Sequence, residues 1–546
     1  MAHEPDDRLD SWKEIAAYLR RGVRTVRRWE HAEGLPVHRH VHQVAGSVYA
    51  FKSEIDRWRD GSRRNPPQSS TGARRARAAG VKSIAVLPFT NLSTDRENEF
   101  FADGLTDEVT SGLSTIGALR VTSLTSAMTF KGTNQDAGSI ARALGARYIL
   151  EGSVRRADDR LRITARLIDG PDDNLLWTDT WDGSLDDVFA MQERLARAIV
   201  DALEVRLSAD EDLRLAVRPI DNLHAYECLV RARQEAFRWR KDAIDHAIQL
   251  LRNGLALVGD NARLYAALGR AFLQYREAGI DPTNAPVDEA EACVTKVFSL
   301  EPAFAPGFQL RGWIHYSRGN IQAAVRDLHT ALKAEPNSAD TLLLLTNCYL
   351  ISGQVPSARP LIERALALDP LTPLTRCMPA FADVMDGNRA AALEPYRQMC
   401  AMDPGNPMAR LFYVWALVLN DRLDTAVDVL GSFPPEVRDT IPAQVAAFLV
   451  RAGHAKGGGA LTSPPEIDLD ATAGDLFPRM LAQGYALAGM PDRAIACLKV
   501  AVDRGFINYQ FLSEHDPFLE SIRAQPAFQR LMDVVRDRWH AFEPAQ

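Results

Sequence analysis

Four prolines set the frame of this chain. Pro302, Pro336, Pro370 and Pro404 follow one another at intervals of 34 residues, and they close the phrases LEP, AEP, LDP and MDP. Twelve residues before each proline stands an alanine: Ala290, Ala324, Ala358 and Ala392. Five residues before stand Val297, Ala331, Ala365 and Met399. Such a period belongs to a helix–turn–helix unit that cannot bury its apolar face alone and stacks on copies of itself. The alanine column marks where the two helices of a unit cross closely. Gly269 and Gly312 hold a second small-residue column.

This pattern resembles the tetratricopeptide repeat. Clear repeats are expected over residues 222–430. A Pro/Gly-rich stretch then breaks the register, and a degenerate repeat with capping helices is expected over 470–546. The resemblance implies a concave groove lined by the first helix of each repeat. Carried onto this chain, its lining is Gln309, Trp313, Tyr316, Leu343, Asn347 and Leu350, and it implies a protein or peptide partner there. Ordinary packing between helices accounts equally well for these six side chains.

Charge divides the chain unevenly. Residues 1–80 carry 16 Lys and Arg against 10 Asp and Glu, a net of +6, which leaves −13 for the remainder of a chain whose total is −7. A basic head on an acidic body directs nucleic acid to the head. Within it, Ser11 and Glu14 form a capping box that opens the helix WKEIAAYLR. A glycine turn and a second short helix, VRTVRRWE, follow, which is a helix–turn–helix arrangement. Ile15, Ala16, Leu19, Val23, Val26 and Trp29 supply a small core. Arg24, Arg27 and Arg28 share one face of the second helix, with Arg20 and Arg21 just before it. LPVHRHVHQ and AGSVYAF alternate as a hairpin, and SEIDRW returns as a third helix.

The stretch from Ser11 to Trp58 resembles the winged helix–turn–helix of the MerR and excisionase type, giving a domain over 8–60. That resemblance implies that Arg24, Thr25, Arg27 and Arg28 enter the major groove of double-stranded DNA. It places His38, Arg39 and His40 on a wing that touches the backbone. The long dimerisation helix of MerR proteins is absent, so a homodimer is possible without being specified. Residues 61–82 carry five Arg, Pro-Pro and no acidic residue, the composition of a flexible linker. Arg63 and Arg64 there are expected to meet phosphates.

Residues 83–208 read as β-α-β-α-β-β-β-α, with hairpin turns at ADDR and GPDDN. The phrases SIAVLPFTNLS, IARALGARYILEGSVRR and LRITARLID resemble the TolB-amino-terminal-like (FlgO-related) domain of bacterial regulatory proteins. Such a domain often lies between an output module and tetratricopeptide repeats. Arg162, Thr164 and Arg166, with Glu151, Ser153 and Arg155, line a polar sheet face. A solvated face crossed by ion pairs is favoured over an anion site. The loop Asn91-Leu92-Ser93 precedes a helix N-terminus, where a ligand is conceivable.

The fold class expected is therefore multidomain: a small winged helix–turn–helix, a central α/β domain and a C-terminal all-α solenoid. No stretch approaches the ~20 apolar residues of a membrane helix, and the first residues lack the texture of a secretory leader, so a cytoplasmic location and no membrane partner are expected. Six scattered cysteines form no C-x-x-C, and the alternating His38, His40 and His42 have no cysteine nearby, so no metal site is expected. Nucleotide-binding and hydrolase motifs are missing; no cofactor, catalytic residue or enzymatic activity is expected. The functional expectation is a DNA-binding transcriptional regulator. The alternative is a scaffold or adaptor whose basic head binds without sequence preference.

Overall fold

The computed structural model describes residues 7–19, 26, 35–40, 47–56, 81–93, 98–157, 160–184, 187–216, 220, 222–236, 238–455 and 465–544. They fall into two compact units, 1–80 and 81–546.

In the first unit, the capping box closes as its residue types require. The Ser11 hydroxyl accepts from the Glu14 N–H at 3.2 Å, and the Glu14 carboxylate accepts from the Asp10 N–H at 2.8 Å. Helix α1 (Trp12–Leu19) follows and buries Ile15 and Ala16. Strands β1 (Arg8–Leu9), β2 (His38–His40) and β3 (Ser47–Phe51) form an antiparallel sheet in the order β1-β3-β2. The β2–β3 pair is the hairpin read from the alternation. Strand β1 is an addition that two residues are too short to announce. Leu9, Ile15, Ala16, Val26, Leu35, Ala50 and Ile55 make the core.

The second unit opens on an α/β layer. Strands β4 (Lys82–Val86), β5 (Thr90–Asn91), β6 (Leu119–Val121), β7 (Tyr148–Ala157), β8 (Arg160–Asp169) and β9 (Asn174–Ser184) form one sheet. Its order is β6-β4-β7-β8-β9, with β5 beside β7. The first members pair in parallel, and β7, β8 and β9 pair antiparallel as two successive hairpins. Helices α2 (Glu99–Ser114), α3 (Leu124–Met128), α4 (Ala137–Leu144) and α5 (Val188–Ala202) cover it. Leu105, Val109, Leu195 and Ile199 pack on one face, and Ile140, Ala141 and Leu144 on the other. Strand β5 arises where Gly152 lets Phe89 lie flat on β7; a Cβ there would sit 2.2 Å from the ring. A short helix α6 (Ala209–Ala216) then leads to the array.

The array consists of antiparallel helix pairs. They are α7 (Leu223–Ala236) with α8 (Lys241–Val258), α9 (Ala262–Glu277) with α10 (Ala285–Leu300), and α11 (Ala305–Ser317) with α12 (Ile321–Ala334). Next come α13 (Ala339–Ile351) with α14 (Val355–Leu368), α15 (Pro373–Met385) with α16 (Leu393–Met402), and α17 (Pro407–Leu419) with α18 (Leu423–Gly431). The alanine column is fully buried at Ala290, Ala324, Ala358 and Ala392. At Gly312 an added Cβ would lie 2.9 Å from Leu328, so the small residue sets how closely the pair packs. Helix α19 (Ile441–Ala455) fills the interval where the repeat register breaks. It packs between α17 and α20 (Leu476–Leu487), which pairs with α21 (Pro491–Asp503), and α22 (Pro526–Ala541) ends the stack.

The α/β layer is docked on the array along the loops that join one repeat to the next. Asn337 donates to the carbonyls of Ser114, Ile116 and Leu119 at 3.2, 3.2 and 2.7 Å. Asp369 accepts from the Ser126 hydroxyl at 2.7 Å and from that of Ser123. Nearer the start of the array, Glu108 on α2 pairs with Arg233 at 3.2 Å and Arg263 at 2.8 Å. Burial alone pushes the Glu108 carboxyl up, but the two guanidiniums outweigh it and hold its pKa below the ordinary value.

The C-terminal part returns along the opposite edge. A left-handed residue recurs in the turns inside successive repeats: Gly319 (φ 76), Gly353 (φ 74), Gly387 (φ 90) and Asp421 (φ 56). The first three face Asp503, Asn508 and His515 in turn. The Ile507 N–H donates to the Ile351 carbonyl at 2.9 Å. Below this seam runs a buried chain. The Trp415 indole donates to Gln483 at 2.9 Å, and Gln483 donates to Asp516 at 2.7 Å. Burial pushes the Asp516 carboxyl up to about 6, against the pull of the Gln483 amide and the Phe518 N–H. The folded protein therefore holds a proton that the unfolded chain has already released. The stabilisation is complete below the unfolded pKa of about 4 and is lost as pH rises through about 6. Between about pH 5 and pH 7.5 the wild type is expected to lose roughly 1.4 kcal/mol from this group. Urea melts of Asp516→Asn should lack that slope; an equal slope in both would assign it to other groups.

Candidate nucleic-acid and partner-binding surfaces

The wing strand places His38 within a packed cluster. Its Nε2 lies 2.6 Å from the Glu54 carboxylate, and its ring stacks on Tyr49 at 5.1 Å. His38 therefore ties the hairpin to the helical turn at 52–56, a structural role that the alternating pattern did not announce. Arg39 and His40 pair with Val48 and Ser47 in the strand ladder. Tyr18 on α1 donates to Asp56 at 2.8 Å, which brings α1 against the same turn. Arg20, Arg21, Arg24, Thr25, Arg27, Arg28, Arg63 and Arg64 lie outside the described residues, as do Val23 and Trp29 of the expected core.

In the array, the six expected groove residues divide. Gln309 donates to the Thr341 hydroxyl at 2.9 Å, joining neighbouring repeats. Trp313, Tyr316 and Leu343 are half-buried, and Asn347 donates to the Tyr316 hydroxyl at 3.0 Å. Leu350 is a correction: it is fully buried in the core, and its carbonyl accepts from Asn508 at 3.1 Å.

The structure also gathers residues that sequence reasoning missed. Desolvation of its carboxyl raises the pKa of Glu277 at the end of α9, while Arg276 and Trp313 favour its charged form. Asp475 is nearly fully buried, and that burial raises its pKa against the pull of Arg479. Arg504 donates to the carbonyls of Leu469 at 2.7 Å and Thr472 at 2.8 Å, which holds the strap 465–475 beside Tyr316. These residues come from α9, α11, α20 and α21. Asp475 and Arg479 share an i,i+4 spacing, but no local spacing links the separate segments.

On the α/β layer, the polar face is crossed by pairs. Arg162 meets Asp182 at 2.6 Å, Arg166 meets Glu151 at 3.5 Å, and Thr164 meets Thr180 at 3.2 Å. Exposed to solvent, such pairs are screened and hold the sheet only weakly. The Asn91–Ser93 loop is drawn onto the sheet: the Leu92 N–H donates to the Val154 carbonyl at 2.7 Å, and the Ser93 hydroxyl accepts from the Arg156 N–H at 2.8 Å. Among the described residues no group of three or more His, Cys, Asp or Glu is placed to hold a metal ion, and no helix is long and apolar enough to cross a membrane.

An α/β layer clamped to a stack of 34-residue helical hairpins defines a repeat-array protein. Residues 315–374 match the tetratricopeptide repeat family. Residues 80–199 match the second domain of HilA/YgeH-like transcriptional regulators. The chain thus carries a regulator-type second domain followed by tetratricopeptide repeats. A curated relative, "Putative adenylate cyclase 3" of Rhizobium meliloti (strain 1021), is 35% identical over 243 residues, 42% of this chain and 41% of the relative. The chain therefore spans less than half the length of that relative. Solved structures include a thermophilic TPR protein of Thermus thermophilus, 20% identical, covering 36% of this chain and 100% of its own, with a TM-score of 0.30. Another is the APC/C hetero-tetramer Cut9–Hcn1, 13% identical, covering 64% of this chain and 73% of its own, with a TM-score of 0.32.

Proposed function

We propose that this chain is a DNA-binding transcriptional regulator whose repeat array receives a protein or peptide signal. The carrying observation is the match of residues 80–199 to a regulator's second domain, directly after a basic head of net charge +6. In this reading, residues 8–60 are a winged helix–turn–helix of MerR type. Arg24, Thr25, Arg27 and Arg28 read base edges, while Arg20, Arg21, Arg39, His40, Arg63 and Arg64 meet phosphates. The domain reads DNA without catalytic residues or a cofactor, in the cytoplasm. The TolB-like reading of the middle domain belongs to the same proposal, with the domain relaying the state of the array. Any partner of the array meets Trp313, Tyr316 and Asn347 beside the strap 465–475.

The test is selection from random duplex DNA with the full chain, repeated with Arg24, Arg27 and Arg28 all changed to Ala. An enriched motif that the triple variant loses is expected. Arg27→Ala alone should relax one base position and cost ~1–3 kcal/mol if it pairs with a guanine. Arg63→Ala should weaken all sequences alike and lower the salt slope by about one unit. Binding that is sequence-blind and removed by moderate salt would instead establish the scaffold reading.

A further inference from the structure

Beside the strap 465–475, buried side chains carry polar atoms that no described residue bonds. They are Gln274 Oε1 and Arg276 Nε and Nη1 on α9, Ser317 Oγ on α11, and Arg479 Nη1 on α20. None of these residues is more than 9% exposed. Folded interiors pair nearly all such atoms. The same array does so at Gln483 and Asn508, which bond Asp516 and Leu350. A buried guanidinium is the most demanding case. It stays charged at any physiological pH and calls for an anion as well as for acceptors.

These groups share one region. Arg276 and Arg504 lie close enough to repel one another, and Asp475 acts on Glu277, Tyr316 and Arg504 alike. A Cβ on Gly474 would lie 3.7 Å from the Tyr316 hydroxyl, and Arg504 donates to the Gly474 carbonyl at 3.1 Å. The region is short of bonded carboxylate. Arg504 directs its donors to neutral groups of Leu469, Thr472 and Gly474. Arg479 meets Asp475 only at 3.4 Å, longer than the about 2.7–2.9 Å of a good charge-assisted bond. Desolvation raises the pKa of both Glu277 and Asp475, which disfavours their negative forms. Asp281 also acts on Arg276, but it is engaged by the Thr283 hydroxyl at 2.6 Å. Asp470 acts on Arg504 from an exposed position that water screens.

We propose that this region is an effector site for a small hydroxy acid, its carboxylate on Arg276 and its hydroxyl between Gln274 and Ser317. The occupant is an acid because the buried nitrogens of Arg276 meet no acceptor of the chain. It is hydroxylated because a Gln carbonyl oxygen lacks a donor and a Ser hydroxyl lacks any partner. It is small because Arg504 ties the strap across the region, where an open groove would take a continuing peptide. The proposal depends neither on DNA binding by the head nor on a protein partner of the array.

Melting curves of the full chain at constant ionic strength test it, with glycolate, the smallest hydroxy acid, as the probe. Glycolate at about 50 mM should raise the melting temperature by at least about 2 °C over equimolar chloride. Acetate should raise it less, and ethylene glycol, the uncharged counterpart, not at all. Arg276→Met removes the buried charge at similar length. It should weaken the glycolate response at least about tenfold. In chloride alone it should melt no lower than the wild type, because its buried nitrogens hold no bond for the change to break. Gln274→Leu should reduce the glycolate response to that of acetate, and it decides the matter if the Arg276 variant misfolds. Arg162→Met, on the sheet, should keep the full response. A glycolate effect no larger than that of chloride, an equal effect of ethylene glycol, or a wild-type response in Arg276→Met or Gln274→Leu would each overturn the proposal.

Discussion

Asp369→Ala is expected to destabilise the second unit by about 2–5 kcal/mol, the cost of orphaning the buried hydroxyls that its carboxylate holds. Asp369 is 3% exposed. Its carboxylate accepts from Ser123, from Ser126 at 2.7 Å, from Thr372 at 2.8 Å and from Thr375 at 2.6 Å. Two of these hydroxyls belong to the α/β layer and two to the array. The variant leaves the buried Ser126 and Thr375 hydroxyls without their acceptor, each at about 1–3 kcal/mol before relaxation, while the half-buried Ser123 and Thr372 hydroxyls can turn to water. The neighbouring bonds from Ser123 N–H to Leu368 at 2.7 Å and from Leu371 N–H to Ser126 at 3.0 Å would loosen with it. Hydrogen exchange at α3 should therefore rise far more than at β8. Asp369→Asn retains one acceptor oxygen and should lose less. The control is Arg162→Ala, which breaks a solvent-screened pair and should leave the melting curve close to that of the wild type. Equal melting of Asp369→Ala and Arg162→Ala would mean that the layer and the array are joined elsewhere.

The contrast between Asp369 and the proline ladder shows what a sequence discloses. Pro302, Pro336, Pro370 and Pro404 report a local geometry repeated at one interval, and their alanine partners report a contact inside a single hairpin. Both are legible because cause and consequence lie within one repeat. Ser11 with Glu14, and the alternation that makes β2 and β3, are legible for the same reason. Ser123 and Asp369 lie 246 residues apart. Each also has a place in its own neighbourhood, since Ser123 caps α3 and Asp369 follows the end of α14. Nothing in either neighbourhood signals the other. Leu350 is buried in the core of the array, and its carbonyl accepts from Asn508, 158 residues away, a contact that no local spacing signals. His38 carried a wing-like pattern and a structural contact at once, and only Glu54 distinguishes them.

The seam formed by the C-terminal part yields the last large effect, and two glycines isolate it. Gly319 and Gly489 occupy equivalent turns, with φ of 76 and 70. An alanine at either position must adopt a left-handed backbone, at about 1–2 kcal/mol. Around Gly489 nothing lies within 4 Å of the new Cβ, so Gly489→Ala should cost that strain alone. At Gly319 the Cβ would sit 2.7 Å from the Asp503 carbonyl oxygen and 2.9 Å from the Arg504 carbonyl carbon. Both are backbone atoms, which no rotamer change can withdraw. Gly319→Ala must therefore move the end of α21 off the third repeat, and overpacking of this kind adds about 1–3 kcal/mol. Arg504 would move with it, releasing its hold on Leu469 and Thr472 and thus on the strap beside Tyr316. Urea melts should place Gly319→Ala about 1–3 kcal/mol below Gly489→Ala, with new proteolytic cleavage within 465–475. Equal losses in the two variants, with the strap still protected, would show that the array is not closed along this edge.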